Sequence, residues 1–303
     1  DQSEDTSNYY SKHQGPNADH AYLDLWGTAK INDGWVAKFE VESHHDLNSG
    51  HSDSNDTSNT SKIYAEGTLM GADTKIGKFG VFSQEGFVID KAVSGVQFTF
   101  GNALKTTLTA GNIDSLSGTP DYGDRFNATG DTANYASVMF NYKATDKLDL
   151  YAAYHQVAND DFNAYFNNND KLSVYELGFT TKLGSDWSFQ GLYTKADQDV
   201  LTDAVGVNYE TEDTGYLAEF KYKAADTSKV GSYDIFTNYR QVPQTMFAHT
   251  NDDYALGNKG WTIGFDYVPA ENVNFQAFYF DGKDVDNSDL KTKYTRAQVE
   301  FFF

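Results

Sequence analysis

The seven histidines are the side chains of this sequence best suited to proton transfer or metal binding near neutral pH. His44 and His45 are adjacent, and successive side chains of a strand point to opposite faces, so this pair cannot chelate one ion together. His155 has an acidic neighbour in the sequence, Asp149, but no serine stands at a spacing that would give it a nucleophile to activate. The histidines therefore predict no catalytic residues, and we expect a protein that is not an enzyme.

Asp53, Asn55 and Thr57 resemble the start of a calcium-binding loop, because they place side-chain oxygens at every second position. An EF-hand also needs a glycine at its sixth position and a glutamate at its twelfth, where this sequence has Ser58 and Tyr64. The chain contains no cysteine, which excludes disulfides, thiolate metal ligands and cysteine nucleophiles. We therefore expect neither a metal site nor a cofactor, and only loose binding of divalent ions by acidic loops stays open.

The composition combines a strongly acidic charge with many aromatic residues. The net charge is -21, which argues against a nucleic-acid partner because phosphates require a basic surface. Aromatic residues make up 16% of the chain although the mean hydropathy is only -0.60, whereas acidic solvating chains are usually poor in aromatic residues. No stretch approaches the run of roughly 18 apolar residues that marks a transmembrane helix. The sequence therefore indicates elements with one aromatic face and one polar face.

Apolar and polar residues alternate with a period of two along the whole chain. Between Ala21 and Ile31 the odd positions are apolar or small, and the even positions are mostly polar. A helix cannot use this period, so each such segment is predicted to be a strand with one apolar face. Fifteen segments show the pattern, at about 20–31, 35–45, 61–69, 74–84, 92–100, 105–112, 134–144, 147–157, 172–183, 187–196, 214–224, 231–242, 260–269, 273–281 and 291–303.

The connections between these segments alternate between tight turns and long polar loops. Short turns at one rim and long loops at the other are typical of outer-membrane barrels. The sequence therefore predicts an all-β fold, a closed antiparallel transmembrane β-barrel that spans residues 1–303 as one domain. The turns include 32–34, 71–73, 101–103, 184–186 and 270–272, and the loops include 46–60, 113–133, 158–171, 197–213 and 243–259.

The number of visible strands, fifteen, is odd, whereas single-chain bacterial barrels generally have an even number. The first turn, 32–34, is a short one, so the first visible strand starts at the long-loop side, and residues 1–19 are expected to form an outer loop. The simplest interpretation is that the chain begins inside a longer protein and that one upstream strand is missing, which gives sixteen strands. A miscounted strand and a rare odd-stranded barrel are the alternatives.

Tyrosine and tryptophan residues mark both ends of the apolar strand faces. Two aromatic rings that bracket an apolar band are what membrane interfaces favour. We therefore expect an integral protein of the bacterial outer membrane, in contact with its lipid and lipopolysaccharide. The aromatic residues are Tyr142, Trp187, Tyr222, Tyr233 and Tyr267 at the short-turn end, and Tyr154, Tyr193, Tyr216, Tyr239, Trp261 and Tyr279 at the long-loop end. Residues predicted to face lipid include Leu23, Phe39, Val138, Phe179, Ile235, Ile263 and Val299.

The polar faces of the strands carry eleven basic and ten acidic residues, so their charges nearly balance. A packed interior cannot hold so many ions, because buried charges are costly unless they are paired, but the wall of a water-filled channel can. The excess negative charge then lies mainly in the loops, as solvated surface or as a means of concentrating cations at the mouth. The residues predicted to line the pore are Asp24, Lys30, Glu40, Glu42, Glu66, Glu219, Asp234, Arg240 and Arg296.

Two segments resemble those of known porins. From Lys78 to Phe98, a G-[KR]-F strand is followed by a glycine-containing loop, an acid and a G-[VA]-x-[VF] strand. The C-terminal segment from Val299 to Phe303 resembles the terminal β-signal of outer-membrane proteins, which ends in an aromatic residue. The chain is similar to the barrel of the S-layer-homology-domain porins (OmpM type) of diderm Firmicutes. This resemblance implies a sixteen-stranded barrel, a homotrimer, a loop folded into the lumen, and a missing N-terminal domain that binds peptidoglycan.

The function that follows is that of a general diffusion porin, a water-filled channel for small hydrophilic solutes and ions. A structural role, tethering the outer membrane to peptidoglycan through the missing region, is compatible with it. The alternatives are a substrate-specific channel or receptor barrel and, further away, an outer-membrane hydrolase. A substrate-specific channel is favoured by aromatic residues along one path in the lumen, and those expected there are too dispersed to indicate one: Tyr22, Trp26, Tyr64 and Tyr151.

Two connections, 84–91 and 113–133, are candidates for the segment that narrows the pore. We favour 84–91, because exposed outer loops rarely carry an apolar triplet such as Phe87-Val88-Ile89, whereas a loop packed against the inner wall buries it. The alternative is an ordinary outer loop at 84–91, with the longer loop and its Asp114, Asp121, Asp124 and Arg125 at the constriction. The predicted constriction residues are those of the favoured loop, Glu85, Asp90 and Lys91, and the wall lysines that its acids would face, Lys38, Lys62, Lys78 and Lys105.

Overall fold

The computed structural model of the chain describes residues 2–5, 13–14, 20–47, 57–113, 132–167, 169–203, 206–246 and 257–303. Nearly all regular structure in these residues is β-strand, and two short 3-10 helices, Gln84–Gly86 and Asp160–Ala164, lie in connections. No helix in this part of the chain is long and apolar enough to cross a membrane. The prediction of an all-β fold is confirmed.

Fifteen long strands of 10 to 13 residues each cover one of the alternating segments. They are β3 His20–Asn32, β4 Trp35–Asp46, β5 Thr57–Leu69, β6 Ala72–Phe82, β7 Asp90–Phe100, β8 Leu104–Ile113, β9 Ala133–Lys143, β10 Leu148–Ala158, β11 Lys171–Leu183, β12 Trp187–Ala196, β15 Thr214–Lys223, β16 Tyr233–Val242, β17 Asn258–Ala270, β18 Val273–Asp284 and β19 Lys291–Phe301. Four short strands complete the numbering: β1 Gln2–Asp5, β2 His13–Gln14, β13 Val200–Thr202 and β14 Asn208–Glu210.

Each long strand pairs antiparallel with the next long strand along the chain, which makes one continuous sheet. In this register Val138 of β9 lies opposite Leu108 of β8 and Tyr154 of β10. Because directly opposite residues share a face of the sheet, the apolar positions of neighbouring strands join into one surface. Much of that surface is exposed, including Leu23, Phe39, Ile235, Ile263 and Val299, and Val138 and Phe179 are half-buried within it.

The segment expected to be an outer loop, residues 1–19, contains two short strands. β1 pairs antiparallel with β19, from Gln2 opposite Thr295 to Asp5 opposite Thr292, and β2 pairs with β1. The loop prediction is therefore wrong for residues 2–5 and 13–14, which are too short and too polar to show an alternating pattern. The sixteenth strand was predicted to lie upstream of this chain, whereas the structure places β1 beside the last long strand. β1 and the fifteen long strands make a sixteen-stranded antiparallel sheet, to which the two-residue β2 adds one short pairing.

The tip of the β6–β7 hairpin leaves the sheet. β6 pairs with β5 only as far as Lys78, and β7 pairs with β8 only from Ser94 onward. Between these points the described residues of the hairpin pair with each other. Gln84 at the tip lies against Gly178 of β11, and Phe87 lies against Gly215 of β15. The sheet is therefore curled around the hairpin in the manner of a barrel.

The hydrophobic core lies inside the curled sheet. Phe79 and Val81 of β6 and Val93 of β7 are fully or almost fully buried, and they belong to one cluster with Ile113 of β8 and Val157 of β10. One face of the hairpin is thus packed against the inner wall of the following strands. On the other face Gly80 lies beside the side chain of Lys62, which projects from β5. The hairpin therefore divides the interior into a packed side and a polar side.

Candidate functional site

The hairpin tip is a closed turn. The hydroxyl of Ser83 accepts hydrogen bonds from the backbone N–H groups of Val88 (3.0 Å) and Ile89 (3.2 Å), and Ser83 N–H donates to the Ile89 carbonyl (2.9 Å). Phe87, Val88 and Ile89 are all at most 1% exposed. The burial expected from the apolar triplet is therefore confirmed, and these contacts fix the shape of the turn.

Glu85 occupies a strained position in this turn. Its φ angle is 56°, in the left-handed region, and that of the following Gly86 is 61°. A non-glycine residue in this region costs of order 1–3 kcal/mol and persists only where its surroundings fix it. Ser83 supplies that restraint by closing the turn around it. The Glu85 carboxylate is thus presented on a rigid tip.

Glu85 borders a cavity of about 390 Å³ between the hairpin and strands β15 to β19. Lys221 of β15 interacts electrostatically most strongly with Asp234, then with Glu219 and Asp266, and also with Glu85. In the narrow gap between hairpin and wall, opposite charges of this kind create a field across the interior. The acidic residues around the cavity are Glu85, Glu219, Asp266 and Glu300, and the basic residues are Lys221, Arg240 and Arg296.

Neutral amides hold the wall carboxylates of this cavity in place. Glu219 accepts hydrogen bonds from Gln190 (3.0 Å) and Asn238 (3.1 Å). Asp266 likewise accepts from Asn274 and Gln276, both at 3.0 Å. Because amide donors add no charge, they orient the carboxylates without neutralising them.

Asp234, which was predicted to line the pore, lies directly opposite Asp266 in the register of β16 and β17. Its residue is 5% exposed, and its Oδ2 atom accepts a hydrogen bond from the Ala225 backbone N–H (3.2 Å). Asp234 therefore faces the interior at the short-turn end of the sheet and is partly engaged in holding the 224–232 connection.

A second group of charges lies on the inner face of β3, β4 and β5. Lys38 forms an ion pair with Glu66 (3.1 Å). Lys62 contacts Glu40 and also lies 3.7 Å from Glu42. Asp24 lies opposite Glu42 in the register of β3 and β4. Six predicted pore residues are thus brought together on one wall, where cations and acids are largely paired with each other.

Two further predicted residues lie near the short-turn rim, away from this group. Lys30 pairs with Asp33 (2.6 Å), and both side chains are mostly exposed. Lys105 is exposed near the start of β8 and lies opposite Asn141 of β9. Neither residue contacts the hairpin tip within the described hydrogen bonds and ion pairs.

Of the remaining predicted constriction residues, Asp90 and Lys91 lie next to the hairpin tip, and Lys78 lies at the base of the hairpin. Lys91 is opposite Val81, Asp90 is exposed and opposite Phe82, and Lys78 is opposite Ile63 where the hairpin leaves the sheet. The expectation that Glu85 faces Lys38, Lys62, Lys78 and Lys105 is corrected by the structure, which places it across a cavity from Lys221, Arg240 and Arg296. The sequence could not show which wall the hairpin crosses to, because that depends on how the sheet curls.

Residues 114–131, which include Asp114, Asp121, Asp124 and Arg125 of the alternative constriction loop, lie outside the described residues. Among the residues that are described, no group of three or more histidine, aspartate or glutamate side chains is arranged to hold a metal ion.

A buried polar network lies behind the hairpin tip. His155 Nδ1 hydrogen-bonds to the Tyr135 hydroxyl (2.9 Å), and His155 Nε2 lies 3.3 Å from Glu176 Oε2, with His155 and Glu176 fully buried. The Tyr151 hydroxyl lies beside Glu176 and the backbone of Gln84. The acidic partner of His155 is therefore Glu176 and not its sequence neighbour Asp149. The sequence signal for this pairing is the alternation of side chains along β10 and β11, because it puts His155 and Glu176 on the inner face of adjacent strands.

Comparison with known proteins supports the fold. No protein-family model matches the sequence, and no curated protein matches it in sequence. Among solved structures, Salmonella typhi OmpF in complex with daunomycin is similar, with 12% identity, a TM-score of 0.64, and coverage of 99% of this chain and 94% of that chain. A mutant of Rh. blastica porin has 12% identity, a TM-score of 0.58, and coverage of 100% of this chain and 96% of that chain. The chain therefore has the fold of a porin barrel.

Proposed function

We propose that this protein is a bacterial outer-membrane porin that forms a water-filled channel for passive diffusion of small hydrophilic solutes and ions. The observation that carries the proposal is the interior of the sheet, which is lined by charged residues and narrowed by a hairpin folded into it. An interior of paired and facing charges is costly in a dry core but suits a wet channel. The likeness in fold to structures named as porins supports the same reading.

The outer surface supports a place in the membrane. Large apolar side chains such as Leu177 (60% exposed) and Ile263 (58% exposed) would be unfavourable on a protein surrounded by water. Exposed Trp187 and Tyr267 lie near the short-turn ends of β12 and β17, and Trp261 lies near the long-loop end of β17. Such a band suits lipid flanked by two interfaces, with lipopolysaccharide as the outer contact.

We propose that the 84–91 segment forms the constriction, with Glu85 as its charged tip. Its carboxylate and the facing Lys221, Arg240 and Arg296 would impose a transverse field on passing solutes. Lys91, Lys38 and Lys62, together with the predicted pore-lining residues of β3 to β5, would then shape the wider path beside the hairpin. Asp90 lies next to the tip, beside Gly86, whereas Lys78 and Lys105 lie further away and contribute less to this proposal.

A homotrimer is proposed from the uneven distribution of outer aromatic residues. The outward Tyr and Trp side chains of the two belts lie on β9 to β18, whereas the outward face of β3 to β6 is richer in small residues. Small residues allow close approach of two protein surfaces within a membrane. That face is the one we assign to subunit contacts. It includes Ala21, Ala29, Ala37, Ala65 and Ala72, while the rings of Phe39 and Trp35 lie over Gly27 and Gly67 of the same face.

The narrower resemblance to S-layer-homology porins supports a second proposed role, the tethering of the outer membrane to peptidoglycan by a region outside this chain. A longer form of the protein that sediments with purified peptidoglycan, while the 303-residue chain does not, would support it. Sedimentation of neither form would remove the tethering role and leave the channel unaffected.

The channel function is tested with the purified chain in planar lipid bilayers. We expect discrete conductance steps that grow in proportion to bulk salt, because a water-filled pore passes ions without a saturable site. Conductance that saturates, or block by one solute class at low concentration, would instead favour a substrate-specific channel. Absence of any step from a chain shown to be folded and inserted would remove the porin proposal. No catalytic role is proposed.

A further inference from the structure

The tip of the hairpin is seated on the facing wall at two glycines whose missing side chains make room for it. A Cβ atom on Gly178 of β11 would lie 2.4 Å from Gln84 Oε1. A Cβ atom on Gly215 of β15 would lie 2.8 Å from Phe87 Cε1 and 2.3 Å from Thr194 Oγ1. Neither glycine has a positive φ angle. Space for the hairpin, and not an unusual backbone conformation, is therefore what these two positions require.

Gly178 and Gly215 contact hairpin residues on either side of Glu85 in the sequence. Gln84 comes directly before it, and its amide Nε2 donates to Thr180 Oγ1 of β11 (3.4 Å). Phe87 follows two residues later and is 1% exposed. Since the tip is not paired with either neighbouring strand in the described register, these contacts hold it at its distance from the wall. Any displacement of Gln84 or Phe87 moves the Glu85 carboxylate with them.

We infer that Gly178 and Gly215 are positioning residues that set how far Glu85 stands from Lys221, Arg240 and Arg296, and thereby set the conductance and charge selectivity of the channel. The inference rests on the proposed porin function and adds to it two positions that carry no charge and do not line the cavity. They act through the hairpin that they seat.

Gly178 and Gly215 differ in how easily the surrounding atoms can accommodate an added methyl group. At Gly178 the closest atom is the end of the flexible Gln84 side chain, which can rotate aside. At Gly215 the closest hairpin atom belongs to the aromatic ring of Phe87, which is packed in the core cluster and has no free space to enter. An added methyl group at Gly215 therefore displaces the Phe87 end of the tip from the wall, and it also displaces the Thr194 side chain.

The test compares Gly178→Ala and Gly215→Ala with the unmodified channel in planar bilayers. We expect both the conductance and the reversal potential to change, because the tip and its Glu85 carboxylate are displaced relative to Lys221, Arg240 and Arg296. The effect should be larger for Gly215→Ala. Gly191→Ala is the matched control, since the atoms nearest to a Cβ there belong to Phe179 on the outer face of the sheet, 2.7 Å away, and not to the hairpin.

Compensating substitutions in the hairpin distinguish a displaced tip from a general loss of stability. Phe87→Leu should return the Gly215→Ala channel toward normal conductance, and Gln84→Ala should do so for Gly178→Ala. If both glycine variants match the unmodified channel while Glu85→Gln alters it, the seating inference is wrong and the porin proposal stands. If the unmodified chain gives no channel at all, the porin proposal itself fails. Should Gly215→Ala not assemble, the Gly178 and Gln84 pair decides the question.

Discussion

The carboxylate of Glu85, at the tip of the β6–β7 hairpin, borders the same cavity as the ammonium group of Lys221 on the far wall of the curled sheet. The two residues are distant in the sequence and meet because the hairpin crosses the interior to reach β15. Arg240 and Arg296 lie on the same cavity, so the acid on the rigid tip faces a wall that carries three cations together with the acids Glu219, Asp266 and Glu300. The facing charges create an electric field across the path of a solute.

Glu85→Gln should shift the reversal potential of the channel toward anions, because it removes one of the four acids around the cavity and leaves its three cations in place. Reversal potentials in a salt gradient measure this shift. Asp73→Asn is the matched control: Asp73 is exposed near the start of β6, opposite Thr99 and at the other end of the same hairpin, so its neutralisation should change the reversal potential less. Equal shifts from the two variants would contradict the assignment of Glu85 to the tip of the constriction.

Val138→Arg should reduce the stability of the inserted barrel by about 2–4 kcal/mol, because it places a charge at the middle of an apolar strand face. Val138 lies between Leu108 and Tyr154 on that face. Urea titrations of refolding into lipid vesicles give the free energy. The control is Ala144→Arg, next to the short turn after β9, where an interfacial arginine costs about 0–1 kcal/mol. A similar cost at both positions would mean that Val138 does not face the membrane interior.

The long strands were predictable because alternation reports directly on a sheet with two different faces, as Leu23, Leu25 and their polar neighbours in β3 show. β1 was missed because Gln2–Asp5 is four polar residues with no apolar face, and only its pairing with β19 identifies it. The burial of Phe87, Val88 and Ile89 was predictable from composition, since an apolar triplet between two strands is unfavourable in water.

The partners of these residues were not predictable. The alternation of odd and even positions shows that Lys38 and Lys221 both belong to polar strand faces. It does not show which of the two lysines the hairpin reaches. That choice depends on the curl of the sheet and on the two glycines, Gly178 and Gly215, that receive the tip. Sequence alternation identifies the face of each side chain, whereas contacts across the interior come from the closed shape.

Asp226, in the 224–232 connection between β15 and β16, should titrate well below an ordinary aspartate. Its carboxylate accepts hydrogen bonds from Lys229 Nζ (2.6 Å), the Ser228 hydroxyl (2.6 Å) and the Ser228 N–H (3.1 Å). The ion pair with Lys229 and the Ser228 hydrogen bonds lower the pKa of Asp226 to about 2. Because the folded pKa is below the ordinary value of 3.8, the stabilisation is present above that value and is lost as the pH falls through about 2.

The carboxyl carbon shift of Asp226 in a nuclear magnetic resonance titration measures this midpoint. Lys229→Ala should raise the midpoint toward that of an ordinary aspartate, since it removes the Lys229 hydrogen bond and charge while leaving the Ser228 hydrogen bonds. A midpoint in the unmodified protein close to the ordinary value would show that the connection does not hold Asp226 in this geometry.

His155→Phe should destabilise the barrel by about 3–5 kcal/mol, because it leaves the Glu176 carboxylate buried without its imidazole partner. Both side chains are fully buried, at 0% exposure, so water cannot replace the lost contact. The double variant His155→Phe, Glu176→Leu removes the buried acid as well and should recover most of the loss, since replacing both members of a buried polar pair with apolar groups is often near neutral. Urea titrations of the single and double variants form a cycle with the unmodified protein. A double variant as unstable as the His155 variant would show that the loss of stability comes from packing of the ring. The Tyr151 hydroxyl, and not His155, would then be the group that stabilises the Glu176 side chain.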